Sequence, residues 1–231
     1  MIDILFPTPC LLCGNELKNS IVCSRCFSLF NFINNTEVCE KCGVPFSGFN
    51  EKSARLCGGC IENKDSMLAV RSVLLYKDNL KELLHSYKYG SKLFLADYFS
   101  DLIASRFPFD QGGIDIVVPV PLYIKRLRER GYNQTVLIAR GLSKKLGLSI
   151  NLFSLKKIRD TKPQVEMKDF KKREQNVKNS FQVIDEKIFS GKSVLLVDDV
   201  YTSGSTIREC SKQLLKSGAK CVLGLTIARA I

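Results

Sequence analysis

The chain has 231 residues, 45% of them hydrophobic and 25% charged, with a formal net charge of +12. That apolar share excludes a disordered chain, and the length allows one full domain plus a small one. No apolar run reaches the length of a membrane span, and the start Met-Ile-Asp-Ile-Leu-Phe-Pro has neither a basic leader nor a cleavage site, so a cytoplasmic protein without membrane insertion is expected.

Eight of the ten cysteines lie in the first 60 residues as four Cys-x-x-Cys pairs: Cys10/Cys13, Cys23/Cys26, Cys39/Cys42 and Cys57/Cys60. In a chain expected to stay in the cytoplasm such pairs read as zinc ligands, four thiolates to one tetrahedral ion. Gly14 and Gly43 follow Cys13 and Cys42 directly and ease the tight turn around the metal. Two zinc ions are expected. Sequential pairing, the first two pairs on one ion and the last two on the other, is the simplest arrangement; an interleaved pairing satisfies the same count. A redox role is the weaker alternative, because electron transfer does not need four tandem copies. Sites of four cysteines leave no open coordination position, so this zinc is structural and supplies folding energy to a turn-rich module over residues 1–65. Cys210 and Cys221 read as small core residues. With eight thiolates and two dications the charge is still about +8, a balance that attracts nucleic acid, an acidic partner or a polyphosphorylated small molecule.

At Ser66 the texture changes and a second domain, 66–231, is expected. Residues 67–75 have the β-branched and aliphatic character of a strand. Apolar residues at three-and-four spacing over 80–104 predict two helices broken at Tyr89-Gly90-Ser91. Residues 114–118 predict a buried strand, and 134–146 a helix stopped by Gly147. A short strand is expected over 150–155. Residues 161–179 are polar, basic and without periodicity, which predicts a long mobile loop. Strand 194–197, a helix over 206–216 ending near Gly218, and strand 221–227 complete the pattern. Strands alternating with helices predict an α/β fold with a parallel sheet flanked by helices.

The most telling stretch is Val194 to Thr206. Four apolar residues lead to two carboxylates, Asp198 and Asp199, and a run of small residues around Gly204 leads into a helix. A helix N-terminus offers backbone N–H groups and a favourable dipole to an anion. Small residues let the backbone approach a phosphate, and two ionised carboxylates accept hydrogen bonds from vicinal ribose hydroxyls. The segment resembles the phosphoribosyl pyrophosphate (PRPP) loop of type I phosphoribosyltransferases. A plain strand–turn–helix is the bland alternative. A Walker loop is excluded because no Gly-x-x-x-x-Gly-Lys-Ser/Thr occurs, and an acidic response-regulator pocket has no use for Thr202-Ser203-Gly204-Ser205-Thr206.

Strand 114–118 runs into Val118-Pro119-Val120-Pro121-Leu122, then Arg126, Arg128, Arg130 and Gly131-Tyr132-Asn133-Gln134. Ligands of open parallel sheets bind at the carboxyl ends of strands, so this end and the Asp198 end are expected to face one crevice. Arginines there can clamp a pyrophosphate bidentately, although cations near a helix start are otherwise disfavoured. Arg159, Thr161, Lys162 and Gln164, with Arg173 and Asn176, would form a lid over a ligand or a basic tract for a phosphate backbone; a surface loop is the alternative. Lys88 sits between Tyr87 and Tyr89, suiting contact with bases or a partly buried helix end. His85 has no evident catalytic partner.

Together the zinc pairs, the block 118–134, Arg159-x-Thr161-x-x-Gln164 with Arg173-x-x-Asn176, and the loop at 198–206 are similar to the ComF family. The resemblance spans nearly the whole chain in order. It implies an N-terminal zinc module joined to a type I phosphoribosyltransferase-like domain, and a part in natural transformation, handling single-stranded DNA in the cytoplasm beside DNA-uptake or recombination machinery. It also implies PRPP with magnesium, with Asp198 and Asp199 on the ribose as the catalytic pair. Val200, Tyr201, Thr202, Ser203, Gly204, Ser205 and Thr206 would bind PRPP, with 202–206 on the 5′-phosphate, and Arg126, Arg128 or Arg130 would meet the pyrophosphate. Lys88, Arg159, Lys162 and Arg173 are the expected DNA contacts. Two other readings stay open: a metabolic phosphoribosyltransferase with a structural zinc module, and a zinc-dependent scaffold with a vestigial phosphate site. A nucleobase pocket is not identifiable in the sequence.

Overall fold

The computed structural model describes residues 8–17, 20–46, 55–62, 69–161 and 170–231. Among the described residues, five parallel strands form the central sheet: β3 (Ala69–Leu75), β4 (Ile116–Pro119), β5 (Ser149–Ile150), β8 (Ser193–Tyr201) and β9 (Cys221–Arg229), in the order β3-β9-β8-β4-β5. Strand β8 lies inside the sheet, which explains its unbroken apolar run: Val194 to Val197 are fully buried. Alternation along it separates two cores. Leu195 and Val197 face the helices α3 (Asp78–Tyr89), α4 (Leu95–Ala104) and α6 (Gln134–Leu146). Val194 and Leu196 face α8 (Ser205–Lys216) and an antiparallel hairpin of β6 (Leu155–Lys157) and β7 (Phe181–Val183).

The zinc module, with β1 (Thr8–Pro9), β2 (Glu16–Leu17), α1 (Ser24–Ser28) and α2 (Gly58–Glu62), clips over the β3 edge. Its linker pairs antiparallel with β3: Ile33 N–H donates to Val73 O at 2.9 Å, and Leu75 N–H to Asn31 O at 2.8 Å. Cys10 and Cys26 join the core on one face of the sheet, whereas Cys39 and Cys42 join the core on the other. Gly43 has φ +72°, and a Cβ there would run into Val70 O of β3. The knuckle of the second site therefore seats directly on the edge strand.

Most expected elements are present with shifted ends, and three differ. The expected loop over 161–179 holds a helix, α7 (Phe170–Val177), packed against α8. Its polar sequence has little periodicity of its own, and the buried Val177 ties it down. The strand expected over 150–155 is two strands in different sheets, β5 and β6. Strand β8 does not end at Val197 but runs through the acids, paired to β9 as far as Tyr201 opposite Arg229. A basic helix, α5 (Ile124–Arg130), carries the three arginines. The expected boundary at 65/66 lies outside the described residues.

Candidate functional site

The β4–β8 ladder stops at Pro119 opposite Val197, where Val120 N–H makes a last bond to Val197 O at 2.9 Å. Beyond it β8 continues without β4. The chain turns outward from β4 to β5 and the other way from β8 to β9, so the carboxyl ends of β4 and β8 part at the switch point of the sheet. A cleft of about 180 Å³ opens there. One wall is Asp198, Asp199, Val200, Thr202 and Thr206; the opposite wall is Val120 to Leu122 with Arg126 and Arg130 of α5. Lys88 and Tyr89 close it from the end of α3, Tyr76 from the end of β3, and Lys157, Thr161, Val177 and Phe181 from the hairpin and α7. A niche of about 10 Å³ lined by Tyr201, Gly204 and Ile207 shares Asp198, Val200, Thr202 and Thr206 with it. Gly204, at φ +76°, caps α8 without a side chain, and a Cβ there would collide with Tyr201 Oη. The first turn of α8 can therefore meet a ligand closely.

The eight paired cysteines form two clusters, Cys10/Cys13/Cys23/Cys26 and Cys39/Cys42/Cys57/Cys60, with the sulfurs of each within 4.8 Å of one another. This is the sequential pairing, and it removes the interleaved one. The donor set fits zinc: a tetrahedron with Zn–S near about 2.3 Å needs sulfurs about 3.8 Å apart. Cys13 and Cys23 stand at 3.7 Å, and Cys42 and Cys57 at 3.6 Å. Backbone N–H groups of Cys23 and Cys57 point at Cys10 Sγ (3.4 Å) and Cys39 Sγ (3.3 Å), the support that thiolate ligands require. Both sites are closed four-sulfur sites suited to structural zinc.

Two family models match this chain, one on each part. The model of the double zinc ribbon domain matches residues 1–61, and that of the phosphoribosyl transferase domain matches 133–229. Competence protein F of Haemophilus influenzae is 29% identical over 96% of this chain and 90% of its own length. Competence protein ComFC of Bacillus subtilis is 26% identical over 96% and 95%. The chain belongs to the ComF family. DNA utilization protein YhgH of Escherichia coli K12 is 29% identical over 76% of this chain and 78% of its own. Among solved structures, this ComF chain is similar to the glutamine PRPP amidotransferase of B. subtilis complexed with ADP and GMP. The identity there is 20% and the TM-score 0.41, over 61% of this chain and 30% of that one.

The ComF blocks converge unequally on the cleft. Arg126 reaches Thr161 O through Nη2, and its Nε lies 3.9 Å from Asp160. Arg130 lies over the Tyr89 ring (4.8 Å) and donates to its hydroxyl at 3.0 Å. Arg128 is exposed and outside the lining. Ser203 and Ser205 are buried and bond to each other through their hydroxyls, and Tyr201 is packed toward the zinc module. Lys88 stands at the cleft, its Nζ 2.8 Å from Asp199 Oδ2. Arg159 instead donates to the last carbonyls around α7, Asn176 O (3.1 Å) and Lys178 O (2.8 Å). Lys162 and Gln164 lie outside the described residues, as does the side chain of Arg173.

Lys157 was not expected in the cleft. It follows the buried Leu155 at strand spacing, so period-two alternation on β6 would have aimed it inward. Its Nζ donates to Thr161 Oγ1 at 2.7 Å. Burial, with Arg126 beside it, lowers the Lys157 pKa. Burial and the adjacent Asp199 push the Asp198 carboxyl up to about 7, although Asp199 N–H donates to it at 2.9 Å. Burial opposes the charge on Lys88, but Asp199 and Asp198 outweigh it and raise the ammonium's pKa. Among the described residues, two acids against four cations make a cleft that suits a polyanion bearing hydroxyl donors.

Proposed function

We propose that the chain is a DNA-uptake protein of the cytoplasm that binds magnesium PRPP in the β4–β8 cleft and handles single-stranded DNA. One observation carries the PRPP reading: Asp198, Asp199, the α8 N-terminus, Arg126, Arg130, Lys88 and Lys157 come from separate blocks of sequence and line one cleft. Residues 202–206 would receive the 5′-phosphate, and Asp198 and Asp199 would accept hydrogen bonds from the ribose hydroxyls. Arg126, Arg130 and Lys157 would face the pyrophosphate. Magnesium, held mainly by the ligand's own oxygens, would neutralise part of the pyrophosphate charge. Asp199 must leave Lys88 or share it when the ribose enters, which frees that ammonium for the pyrophosphate.

The DNA part of the proposal rests on the positive balance of the chain and on relatives named for competence and DNA utilization. Arg159 and the basic stretch beyond it are its proposed contacts, with Lys162 and Arg173. Lys88 is better placed for the small ligand. Anisotropy of a labelled single-stranded oligonucleotide, measured across salt, tests this. The slope of log K against log salt should be negative by about 0.7 per phosphate contact and should shrink in Arg159→Ala with Arg173→Ala. A slope near zero, or no binding at low salt, would sink the DNA assignment.

A second reading, turnover of PRPP, draws on one further observation. A groove of about 520 Å³ shares Pro121, Leu122 and Lys157 with the cleft, and Ile124, Leu127 and Phe153 give it an apolar lining with Arg140 and Lys156. Its size suits an aromatic acceptor. In that reaction an acceptor nitrogen attacks the anomeric carbon as pyrophosphate leaves, and the cleft acts by positioning and electrostatics. Pyrophosphate release on adding candidate bases would support it, and its absence across bases would favour binding alone.

A further inference from the structure

Arg229, the last residue of β9, is buried and connects two parts of the molecule that function has so far kept separate. Its Nη1 donates to Cys42 O at 2.5 Å and its Nη2 lies 3.6 Å from Cys42 Sγ. The same guanidinium lies over the ring of Tyr201, 4.4 Å from its centre. Tyr201 stands opposite Arg229 in the β8–β9 ladder, and its carbonyl accepts from Ala230 N–H at 2.9 Å. At the other end of its ring, Tyr201 Oη lies beneath Gly204, where not even a methyl group fits. A contiguous path thus runs from a ligand of the second zinc site, through a planar cation and a stacked ring, to the turn that opens α8. The first zinc site has no counterpart among the described residues: Cys10 and Cys26 pack in the core on the opposite face of the sheet.

We propose that Arg229 and Tyr201 are positioning residues through which metal at Cys39/Cys42/Cys57/Cys60 and a phosphate ester at 202–206 stabilise each other. The inference rests on the PRPP reading. Metal at the second site closes the Cys39–Cys42 turn and so fixes the carbonyl that anchors Arg229. The anchored guanidinium holds the Tyr201 ring flat, and its hydroxyl end supports the Gly204 turn. Coupling between two sites is reciprocal, so a ligand that orders the turn must in turn hold the second metal more tightly.

Zinc release from the full-length, zinc-loaded chain to a chromogenic chelator reads this coupling without any enzymatic activity. The phase of the second site is assigned with Cys13→Ser, which disables the first. Saturating magnesium PRPP should slow the second-site phase about fivefold or more, the lower end of ordinary coupling, and leave the first-site phase unchanged. Arg229→Lys keeps the charge but loses the planar fork and should cut that protection to less than twofold. Tyr201→Phe, which deletes only the hydroxyl under Gly204, should do the same and serves if the Arg229 variant does not fold. Saturable PRPP binding by calorimetry with no change in second-site release, or equal slowing at both sites, overturns this proposal and leaves the PRPP reading intact. No PRPP binding at all overturns both.

Discussion

At neutral pH Asp198 stands near its midpoint, because burial and the adjacent Asp199 push its carboxyl up to about 7. An unfolded aspartate titrates near about 3.9. Between these values the folded chain holds a proton that the unfolded chain has lost, so stability falls as pH rises through this window. The cost is absent below pH 4 and complete above pH 7. Asp198→Asn should therefore raise the melting temperature at pH 8 by about 5 °C, for a gain of about 2 kcal/mol, and change little at pH 4. Ligand binding has the opposite sign. Ribose hydroxyls need the ionised acid, so PRPP affinity should fall roughly tenfold from pH 8 to pH 6 in calorimetry, and that slope should flatten in the variant. Among the cations, Lys157→Ala and Arg126→Ala should each weaken PRPP by about tenfold or more, the value of a charge-assisted bond, whereas the exposed Arg128→Ala should change it by less than about twofold. The acids and cysteines were legible in the sequence because their chemistry shows in residue type and spacing. Lys157 was not, since a lysine aimed inward looks the same in sequence as one aimed at water.

The elements were legible where burial imposes a pattern. The apolar run of β8 and the four-residue stripe of α6 with its Gly147 cap lie where their periods place them. Helix α7 and the β6–β7 hairpin escaped because their order comes from partners distant in sequence: α7 from α8, and β6 from a strand 24 residues on. That hairpin shapes one wall of the cleft. Phe181 is buried in it, with Lys157 Nζ 5.4 Å from the ring centre. Phe181→Ala should cost about 3 kcal/mol in urea unfolding. It should also weaken PRPP severalfold although no charge is lost, because Lys157 is then less well held. Unchanged affinity with lowered stability would show that the hairpin does not position the lysine.

At the scale of the whole molecule, the zinc module is more than an appended domain. Its linker covers the β3 edge, Arg106 of the main domain lies over Phe32 of that linker at 4.1 Å, and its two sites reach the two cores on opposite faces of the sheet. None of this was visible in the cysteine spacing, which reports metal but not docking. Metal analysis should find two zinc ions per chain, and Cys13→Ser or Cys42→Ser should leave one. Stripping both should expose an unpaired edge strand, so light scattering should show self-association that zinc reverses. A stripped chain that stays monomeric would mean that the linker holds the edge without metal.

The cleft built around Asp198 and Asp199 is proposed to bind PRPP. Calorimetric titration of the zinc-loaded chain with magnesium PRPP at pH 8, beside the Asp198→Asn, Asp199→Asn double variant, tests it most directly. The parent should bind one ligand per chain saturably, and the double variant, which loses two charged hydrogen-bond acceptors, should bind at least about a hundredfold more weakly. Equal binding by both proteins, or none by a folded, zinc-replete parent, would contradict it.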